Sequence, residues 1–344
     1  MLFTFFEHLN FVFLQSKILF QTMLEIDTVS FAYDTTTVIN KVNFNLQKGQ
    51  NLSIIGESGC GKSTLLKLIY GLYDLDEGSI WWNGKAILGP KFHLVPGDPD
   101  MKYLAQDFDL MPYITVEENV GKFLTNTQPE LKAARVKELL EMVEMLSFAT
   151  TKAKYLSGGQ MQRIALARVL ALEPEVLLLD EPFSNIDSFR KGALRRNLFA
   201  YLKNKGITCI IASHDSIDAL SFSDETIVMK SGAIVQHGSS RQVYLQPVNK
   251  YAASLFGEVN EIKVHHLLPF EDQEKTLLLY ASELYLTDVS ELEVTVKQCY
   301  FKGNGYLVKA VFERRVIFFE NPYEIPENQV VFLTADEELI EIRL

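Results

Sequence analysis

The stretch "GESGCGKST" restricts the fold of this chain more than any other feature. It lies between a short apolar run, "NLSIIG", and a helix-like run, "TLLKLIYG". A glycine-rich turn from a strand into a helix lets backbone N–H groups surround phosphate oxygens, helped by the helix dipole. We expect Lys62 to reach the β- and γ-phosphates and the Ser63 hydroxyl to bind Mg²⁺. The predicted phosphate loop comprises Gly56, Glu57, Ser58, Gly59, Cys60, Gly61, Lys62, Ser63 and Thr64.

Two adjacent carboxylates, Asp180 and Glu181, follow the apolar run "EVLLL" and precede Pro182. Because side chains alternate along a strand, the pair diverges unless the strand ends between them, and Pro182 favours such an end. We expect Asp180 to hold Mg²⁺ through water or Ser63, and Glu181 to polarise the attacking water. A solvated strand end is the alternative interpretation.

The stretch "LSGGQMQR" begins another helix-like run. Ser157 is a candidate N-cap, but capping does not explain Gly158 and Gly159, since glycine loses much conformational entropy in a helix. Bare glycine backbone at a helix N-terminus can bind an anion. The chain therefore contains a second candidate phosphate contact, far from the first in sequence.

Strand-like and helix-like runs alternate from Leu24 to Gln246. Such alternation predicts an α/β domain with a largely parallel central sheet, whose ligand-binding residues lie at the carboxyl ends of the strands. We place this domain at residues 23–246 and a linker at residues 247–258. Residues 259–344 contain only strand-like runs, the last of them "LIEIRL", and these predict a small β-barrel or sandwich.

Residues 1–22 form an apolar stretch that Glu7, Asn10 and Lys17 interrupt. It lacks the ~20 consecutive apolar residues of a membrane span and the basic region of a secretory signal. Three interpretations are an interfacial helix, a docking helix, and a translated leader upstream of the true start. We favour the leader, because "MLEIDTVSFAYD" begins a natural first strand at Met23.

The composition excludes several function classes. The net charge of −11 argues against a nucleic-acid partner, because neutralising phosphates requires an excess of lysine and arginine. Cys60, Cys209 and Cys299 lie far apart without ligand-spaced neighbours, so neither a zinc site nor a disulfide framework is predicted. A reducing compartment fits this cysteine usage best.

Three further residues become informative only through their order. Alone, Tyr33 indicates packing, Gln106 a surface position and His214 a structural hydrogen bond. The order Tyr33, "GESGCGKST", Gln106, "LSGGQ", "LLLDEP", "SNID" and "ASHD" resembles the nucleotide-binding subunit of ATP-binding cassette (ABC) transporters over about residues 24–246. The resemblance implies a P-loop NTPase cassette, in which an antiparallel β subdomain accompanies the largely parallel central sheet.

The resemblance implies a role for each motif. Tyr33 is expected to stack on adenine, and Gln106 to sense Mg²⁺ and face the membrane subunit. Glu181 resembles the general base and His214 the γ-phosphate switch residue. "SNID" resembles the D-loop, ending in Asp187, although Ser-Ala-Leu-Asp is the more common form.

The family also gives the second glycine motif a use. Two cassettes are expected to pair head to tail and to sandwich two ATP molecules, each between one P-loop and the opposing signature loop. In this arrangement Ser157, Gly158, Gly159 and Gln160 bind the nucleotide of the partner copy. ATP then holds the dimer together, and hydrolysis releases it.

The β-rich C-terminal region resembles the OB-like TOBE domain of importer ATPases, where a regulatory or dimer-stabilising role is favoured over ligand binding. The usual Arg-Pro before the glutamate is replaced by Ala281-Ser282, which leaves a ligand contact at Glu283 in doubt. The whole resemblance implies an ATP-hydrolysing importer subunit on the cytoplasmic face of the cell membrane. Its expected partners are a second copy, integral membrane permease subunits and a solute-binding protein. A non-transport ABC ATPase, linked to translation or DNA, and an exporter ATPase are the alternatives.

Overall fold

The structure is a computed structural model that describes residues 22–93, 95–268 and 275–344. The chain divides into two compact units, of which the first ends at His237 and the second comprises Gly238–Leu344. The predicted extension at residues 1–22 lies outside the described residues, apart from Thr22. The predicted domain boundary at Gln246 and the linker after it stay predictions.

The first unit alternates strands and helices along the chain. Its elements are β1 (Thr22–Tyr33), β2 (Thr36–Gln47), β3 (Asn51–Ile55), α1 (Lys62–Ile69), β4 (Glu77–Trp82), β5 (Lys85–Ala86), β6 (Met101–Leu104), α2 (Val116–Val120), α3 (Pro129–Met142), α4 (Gly158–Leu170), β7 (Val176–Asp180), α5 (Ser188–Lys205), β8 (Thr208–Ser213), α6 (Ser216–Phe222), β9 (Glu225–Lys230) and β10 (Ala233–Ser239), whose last residues cross into the second unit.

Two sheets organise the described part of this unit. An antiparallel sheet has the strand order β2-β1-β4-β5, and a central sheet has the order β10-β9-β3-β8-β7-β6. Strands β9, β3, β8, β7 and β6 run parallel to one another. This confirms the predicted α/β cassette with its antiparallel β subdomain. Because the central strands are parallel, their carboxyl ends meet at one edge of the sheet.

The central sheet is covered on both faces, which explains why its strands are apolar throughout. Every residue of β7 and β8 is buried. Leu177 and Leu179 of β7 pack into one core with α3, α4 and α5, whereas Leu178 packs into the other core with α1 and the antiparallel sheet. Trp82, at 1% exposure, is the largest of the fully buried side chains in this second core. The two cores fix the sheet edge on which the site is built.

The second unit is mostly antiparallel β-structure. Its further elements are α7 (Ser240–Leu245), α8 (Lys250–Ser254), β11 (Val259–Lys263), β12 (Thr276–Tyr280), β13 (Tyr285–Thr287), β14 (Glu293–Phe301), β15 (Tyr306–Phe312), β16 (Arg315–Asn321), β17 (Val330–Thr334) and α9 (Glu337–Arg343). Strands β11 and β12 pair, and a curled sheet has the order β13-β17-β14-β15-β16. This confirms a small all-β, OB-like C-terminal domain.

One predicted strand of the second unit is wrong. "LIEIRL" belongs to helix α9, although its apolar residues alternate in strand fashion. Asp336 caps this helix, since its Oδ1 accepts from the N–H groups of Glu338 at 2.9 Å and Leu339 at 3.3 Å. The capping aspartate and the acidic first turn that follows it overrode the short alternating pattern.

No helix within the described ranges 22–93, 95–268 and 275–344 combines the length and the apolar character that a membrane crossing requires.

Candidate active site

The predicted phosphate loop leads from the end of β3 into α1, as its motif requires. Gly61 has φ 108°, and a Cβ there would lie 2.9 Å from the Val38 carbonyl oxygen, so only glycine fits. The Lys62 ammonium donates to the carbonyl oxygens of Gly56 at 2.7 Å and Glu57 at 3.0 Å. The loop therefore curls around a buried cation, and residues Glu57, Ser58 and Gly59 remain exposed at its outer side.

Ser63 and Asp180 meet at the carboxyl edge of the central sheet. The Ser63 hydroxyl donates to Asp180 Oδ1 at 2.8 Å, and the Tyr103 hydroxyl donates to Oδ2 at 3.1 Å. Burial raises the pKa of the Asp180 carboxyl, and these two hydrogen bonds oppose that shift because they favour the charged form. A buried carboxylate beside a hydroxyl, next to a phosphate loop, is a suitable pair of oxygens for a divalent cation.

β7 ends between Asp180 and Glu181, as predicted, so the alternation of a strand does not separate the two carboxylates. The residue has φ 51°, a left-handed conformation that costs a non-glycine residue about 1–2 kcal/mol. Its carboxylate Oε2 lies 2.6 Å from His214 Nδ1. The His214 side chain is 63% exposed and that of Glu181 16%, so the pair stands at the mouth of the site.

Register in the central sheet brings these groups to one edge. The last residue of β3, Ile55, pairs with Ser213 at the end of β8, and Asp180 pairs with Ala212. The phosphate loop, the two carboxylates and His214 thus follow three neighbouring parallel strands. This is the position at which open α/β sheets bind their ligands.

The second glycine motif forms the first turn of α4. Ser157 caps this helix: its Oγ accepts from the Gln160 N–H at 3.3 Å, and Gln160 Oε1 accepts from the Ser157 N–H at 2.8 Å. This reciprocal capping box confirms the predicted N-cap. A Cβ at Gly158 would meet no atom within 4 Å, whereas one at Gly159 would lie 2.6 Å from the Asn185 carbonyl oxygen. The two glycines therefore differ: Gly158 borders open space and Gly159 borders the D-loop.

Comparison with known proteins decides the family. A family profile described as "ABC transporter" matches residues 39–184. The chain is 40% identical over 244 residues to the Fe(3+) ions import ATP-binding protein FbpC 1 of Rhodococcus jostii, covering 70% of this chain and 69% of the relative. The chain belongs to the ABC transporter ATP-binding subunits. The importer-type ABC ATPase predicted from the sequence is confirmed, and the non-transport and exporter alternatives are not favoured.

Two further similarities agree with this assignment. The chain is 39% identical over 257 residues to the Spermidine/putrescine import ATP-binding protein PotA of Thermotoga maritima, covering 73% of this chain and 67% of the relative. The dimeric post-hydrolysis structure of the ATP-binding cassette MJ0796, bound to ADP and Pi, has a TM-score of 0.55 at 29% identity. That similarity covers 64% of this chain and 99% of the cassette. As an ABC ATPase, the chain binds ATP.

The remaining predicted residues of this ABC ATPase lie at exposed positions. Tyr33 ends β1 at 39% exposure, and its ring packs edge-on against Phe31 at 4.9 Å and Tyr73 at 5.5 Å between centroids. Gln106 lies two residues beyond β6, at the same sheet edge as Asp180, and is exposed. Asp187 is the exposed N-cap residue of α5 and makes no side-chain capping bond.

Arg195 supports the segment that carries His214, although no sequence motif points to it. Its guanidinium, on α5, pairs with Asp218 at 2.6 Å and with Asp215 at 2.6 Å. Burial acts to raise the pKa of Asp215, but the bonds from Arg195 and the Ile217 N–H lower it overall. The residues around Arg195 in α5 form no recognisable motif, so the local sequence does not indicate its role.

Tyr103 and Gln162 were also missed. Tyr103 follows Lys102 in a short strand and reads as ordinary packing, yet it donates to the Asp180 carboxylate. Gln162 lies two residues beyond the signature glutamine, Gln160, and its buried amide contacts the main chain of Glu181. A polar residue on the buried face of an amphipathic helix was the available signal for Gln162, because such a residue needs a partner.

In the second unit, Glu283 is engaged by its own chain. Arg343 Nη2 lies 2.6 Å from Glu283 Oε1, and the Tyr280 N–H donates to Oε2 at 2.7 Å. The Arg343 guanidinium also stacks over the Tyr280 ring, 5.0 Å from its centroid. Burial raises the pKa of the Glu283 carboxyl, against the opposing effect of these bonds. Glu283, which lacks the Arg-Pro that usually precedes it in the family, therefore holds helix α9 in place through Arg343.

Proposed function

We propose that this ABC ATPase hydrolyses ATP at its phosphate loop and thereby energises the uptake of a solute through a partner permease. The observation that carries the proposal is the convergence at one sheet edge: Ser63 donates to Asp180 at 2.8 Å, and His214 lies 2.6 Å from Glu181. A phosphate loop, a buried carboxylate and a second carboxylate paired with imidazole are the parts that phosphoryl transfer to water requires.

Mg²⁺ fits the residues at this edge. Ser63 and Asp180 would hold it, with Gln106 as a further oxygen ligand by the family resemblance. When bound, the cation neutralises charge that develops on the β- and γ-phosphate oxygens. Burial raises the pKa of Asp180, so an unpaired charge is unfavourable there and a cation partner offsets that penalty.

Each residue of the site then has a defined task. Lys62 exchanges its bonds to the Gly56 and Glu57 carbonyls for phosphate oxygens, and Tyr33 offers its exposed ring to the adenine. Glu181 accepts a proton from the attacking water, which forms a bond to the γ-phosphorus. The bond from the γ-phosphorus to the bridging oxygen breaks, and ADP leaves with its electron pair. His214 contacts the γ-phosphate and thereby releases the Glu181 carboxylate to act as base.

A second copy of the chain completes the site. Ser157 and Gly158 are exposed at the start of α4, and the N-terminus of that helix favours an anion. The P-loop encloses the near side of the phosphates, so the signature residues Ser157–Gln160 and the D-loop residue Asp187 approach from the partner. The dimeric form of the similar cassette, in a state bound to ADP and Pi, supports this arrangement.

The uptake role rests on the relatives. Both of the relatives compared above are named as import ATP-binding proteins, one for Fe(3+) ions and one for spermidine and putrescine, at nearly equal identity of 40% and 39%. Two cargoes at equal similarity indicate that the cassette does not encode the substrate. We therefore place the chain on the cytoplasmic face of the cell membrane as a peripheral homodimer, bound to integral membrane permease subunits that receive solute from a binding protein.

Replacing the base tests the proposal. Glu181→Gln keeps the shape of the side chain but cannot accept the proton, so kcat should fall by roughly 10²–10⁴ while ATP binding persists. Purified variant and parent are compared by phosphate release and by equilibrium nucleotide binding. Unchanged hydrolysis in the variant would exclude Glu181 as the base. Co-purification of the permease, followed by a search for the solute that stimulates hydrolysis, tests the uptake role.

A further inference from the structure

We propose that Gln162 is a positioning residue that connects the signature loop to the hydrolytic base of the same chain. The inference rests on the proposed function, because it concerns how the two ATP sites of a dimer influence each other. Ser157 serves the nucleotide of the partner copy, whereas Glu181 serves the nucleotide of its own P-loop. Gln162 touches the main chain beside Glu181 and stands one turn from Ser157.

The Gln162 side chain is 2% exposed and uses both ends of its amide. Its Nε2 donates to the Glu181 carbonyl oxygen at 2.8 Å and to Ser184 Oγ at 3.4 Å. Its Oε1 accepts from the Asn185 N–H at 3.0 Å. A primary amide donates at one end and accepts at the other, so neither a carboxylate nor an apolar side chain of equal size reproduces this set of bonds.

These bonds hold the peptide that aims the base. The Glu181 N–H donates to the Ala212 carbonyl at 2.9 Å, and the Glu181 carbonyl accepts from both Gln162 and Ser184. With this left-handed φ of 51°, the Glu181 carboxylate lies 2.6 Å from His214 Nδ1. Since bonds on both sides maintain this uncommon conformation, a displacement of Gln162 turns the carboxylate relative to the attacking water.

Gly159 provides an independent observation of the same connection. The ideal Cβ position at Gly159 lies 2.6 Å from the Asn185 carbonyl oxygen and 3.5 Å from the Ile186 Cα. The backbone of the first turn of α4 therefore lies directly against the D-loop at Gly159, whereas Gly158 borders open space. Gln162 and Gly159 together fasten the signature turn to the segment that follows Glu181.

This connection has a functional consequence. When the partner's nucleotide binds at Ser157, the first turn of α4 moves or stiffens, and Gln162 passes that change to the Glu181 peptide. Hydrolysis in one site then depends on occupancy of the other. The connection adjusts the base and contributes nothing to the ATP held by the chain's own P-loop, so its loss changes kcat and leaves KM for ATP in place.

Two substitutions at Gln162 and a matched control test the inference on the full chain. Gln162→Met removes both amide functions at similar volume, and kcat should fall by about 10–100-fold because a misplacement near 1 Å costs about 10²-fold. The KM for ATP should stay at the parental value. Gln128→Met is the control, since Gln128 is exposed and its side chain makes no capping bond. The control should hydrolyse ATP like the parent.

Gln162→Glu separates positioning from general support of the fold. A carboxylate at this position accepts from the Asn185 N–H but cannot donate to the Glu181 carbonyl, whereas the protonated acid can donate. The kcat of Gln162→Glu relative to the parent should therefore rise as the pH falls, and the ratio for Gln162→Met should not. An equal, pH-independent loss in both variants, a proportional rise in KM, or a Gln162→Met enzyme with parental kcat would each overturn the inference.

The outcomes also distinguish this inference from the proposed function. If Glu181→Gln is inactive and Gln162→Met has parental kcat, the inference alone fails. If Glu181→Gln hydrolyses ATP normally, the assignment of the base fails, whatever the Gln162 variants do.

Discussion

Alanine substitutions at the two signature glycines, Gly158 and Gly159, test whether the first turn of α4 packs against the D-loop of the same chain. An added Cβ at Gly159 would lie 2.6 Å from the Asn185 carbonyl oxygen, whereas one at Gly158 would meet no atom within 4 Å. Both residues lie in the first turn of α4, where replacing glycine by alanine stabilises the folded state by about 0.5–1 kcal/mol. At Gly159 that gain is opposed by a forced displacement of main chain, which costs about 1–3 kcal/mol.

We therefore expect Gly159→Ala to have a lower free energy of unfolding than Gly158→Ala by about 1–3 kcal/mol. In a unit of this size, each kcal/mol corresponds to about 2–4 °C in melting temperature. Thermal unfolding without nucleotide, followed by tryptophan fluorescence, measures the difference, because both tryptophans, Trp81 and Trp82, belong to the same unit as the glycines. Equal melting temperatures, or a more stable Gly159→Ala, would refute the packing argument.

Two other predictions follow from buried carboxylates. Tyr103→Phe removes a hydrogen bond that lowers the pKa of Asp180, so this pKa should rise. The acid limb of the ATPase pH profile should then move to higher pH, and at pH values above that limb kcat should stay near the parental value. An acid limb that does not move in the kcat/KM profile would contradict this prediction. Arg343→Met leaves Glu283 without its buried partner and should lower the stability of the second unit by about 3–5 kcal/mol. The double variant Arg343→Met, Glu283→Gln should recover part of the lost stability. Urea unfolding followed by tyrosine circular dichroism measures this recovery, and its absence would contradict the pairing of Arg343 with Glu283.

The parts of the site that were predictable are contiguous in sequence. The phosphate loop, the strand end between Asp180 and Glu181, and the Ser157 cap each depend on a few neighbouring residues, and local sequence determines their geometry. The parallel sheet then follows from the alternation of strands and helices, which brings these segments to one edge.

The residues that were missed act over long sequence separations. Tyr103 reaches Asp180, and Arg195 reaches Asp215 and Asp218, across 20 or more residues of chain. No local pattern encodes such contacts, because they depend on the packing of elements against one another. The wrong strand "LIEIRL" shows the converse, because a capping residue that precedes this run decided between helix and strand.

The most direct test of the account is the mass of the Glu181→Gln protein in the presence of ATP, measured by size-exclusion chromatography with light scattering. Because this variant retains ATP, it should elute as a dimer with ATP and as a monomer without it. Adding Ser157→Arg places a bulky cation at the signature turn, and the protein should then bind ATP yet remain monomeric. An ATP-dependent dimer that persists in the Glu181→Gln, Ser157→Arg double variant would contradict the claim that the signature loop completes the partner's site.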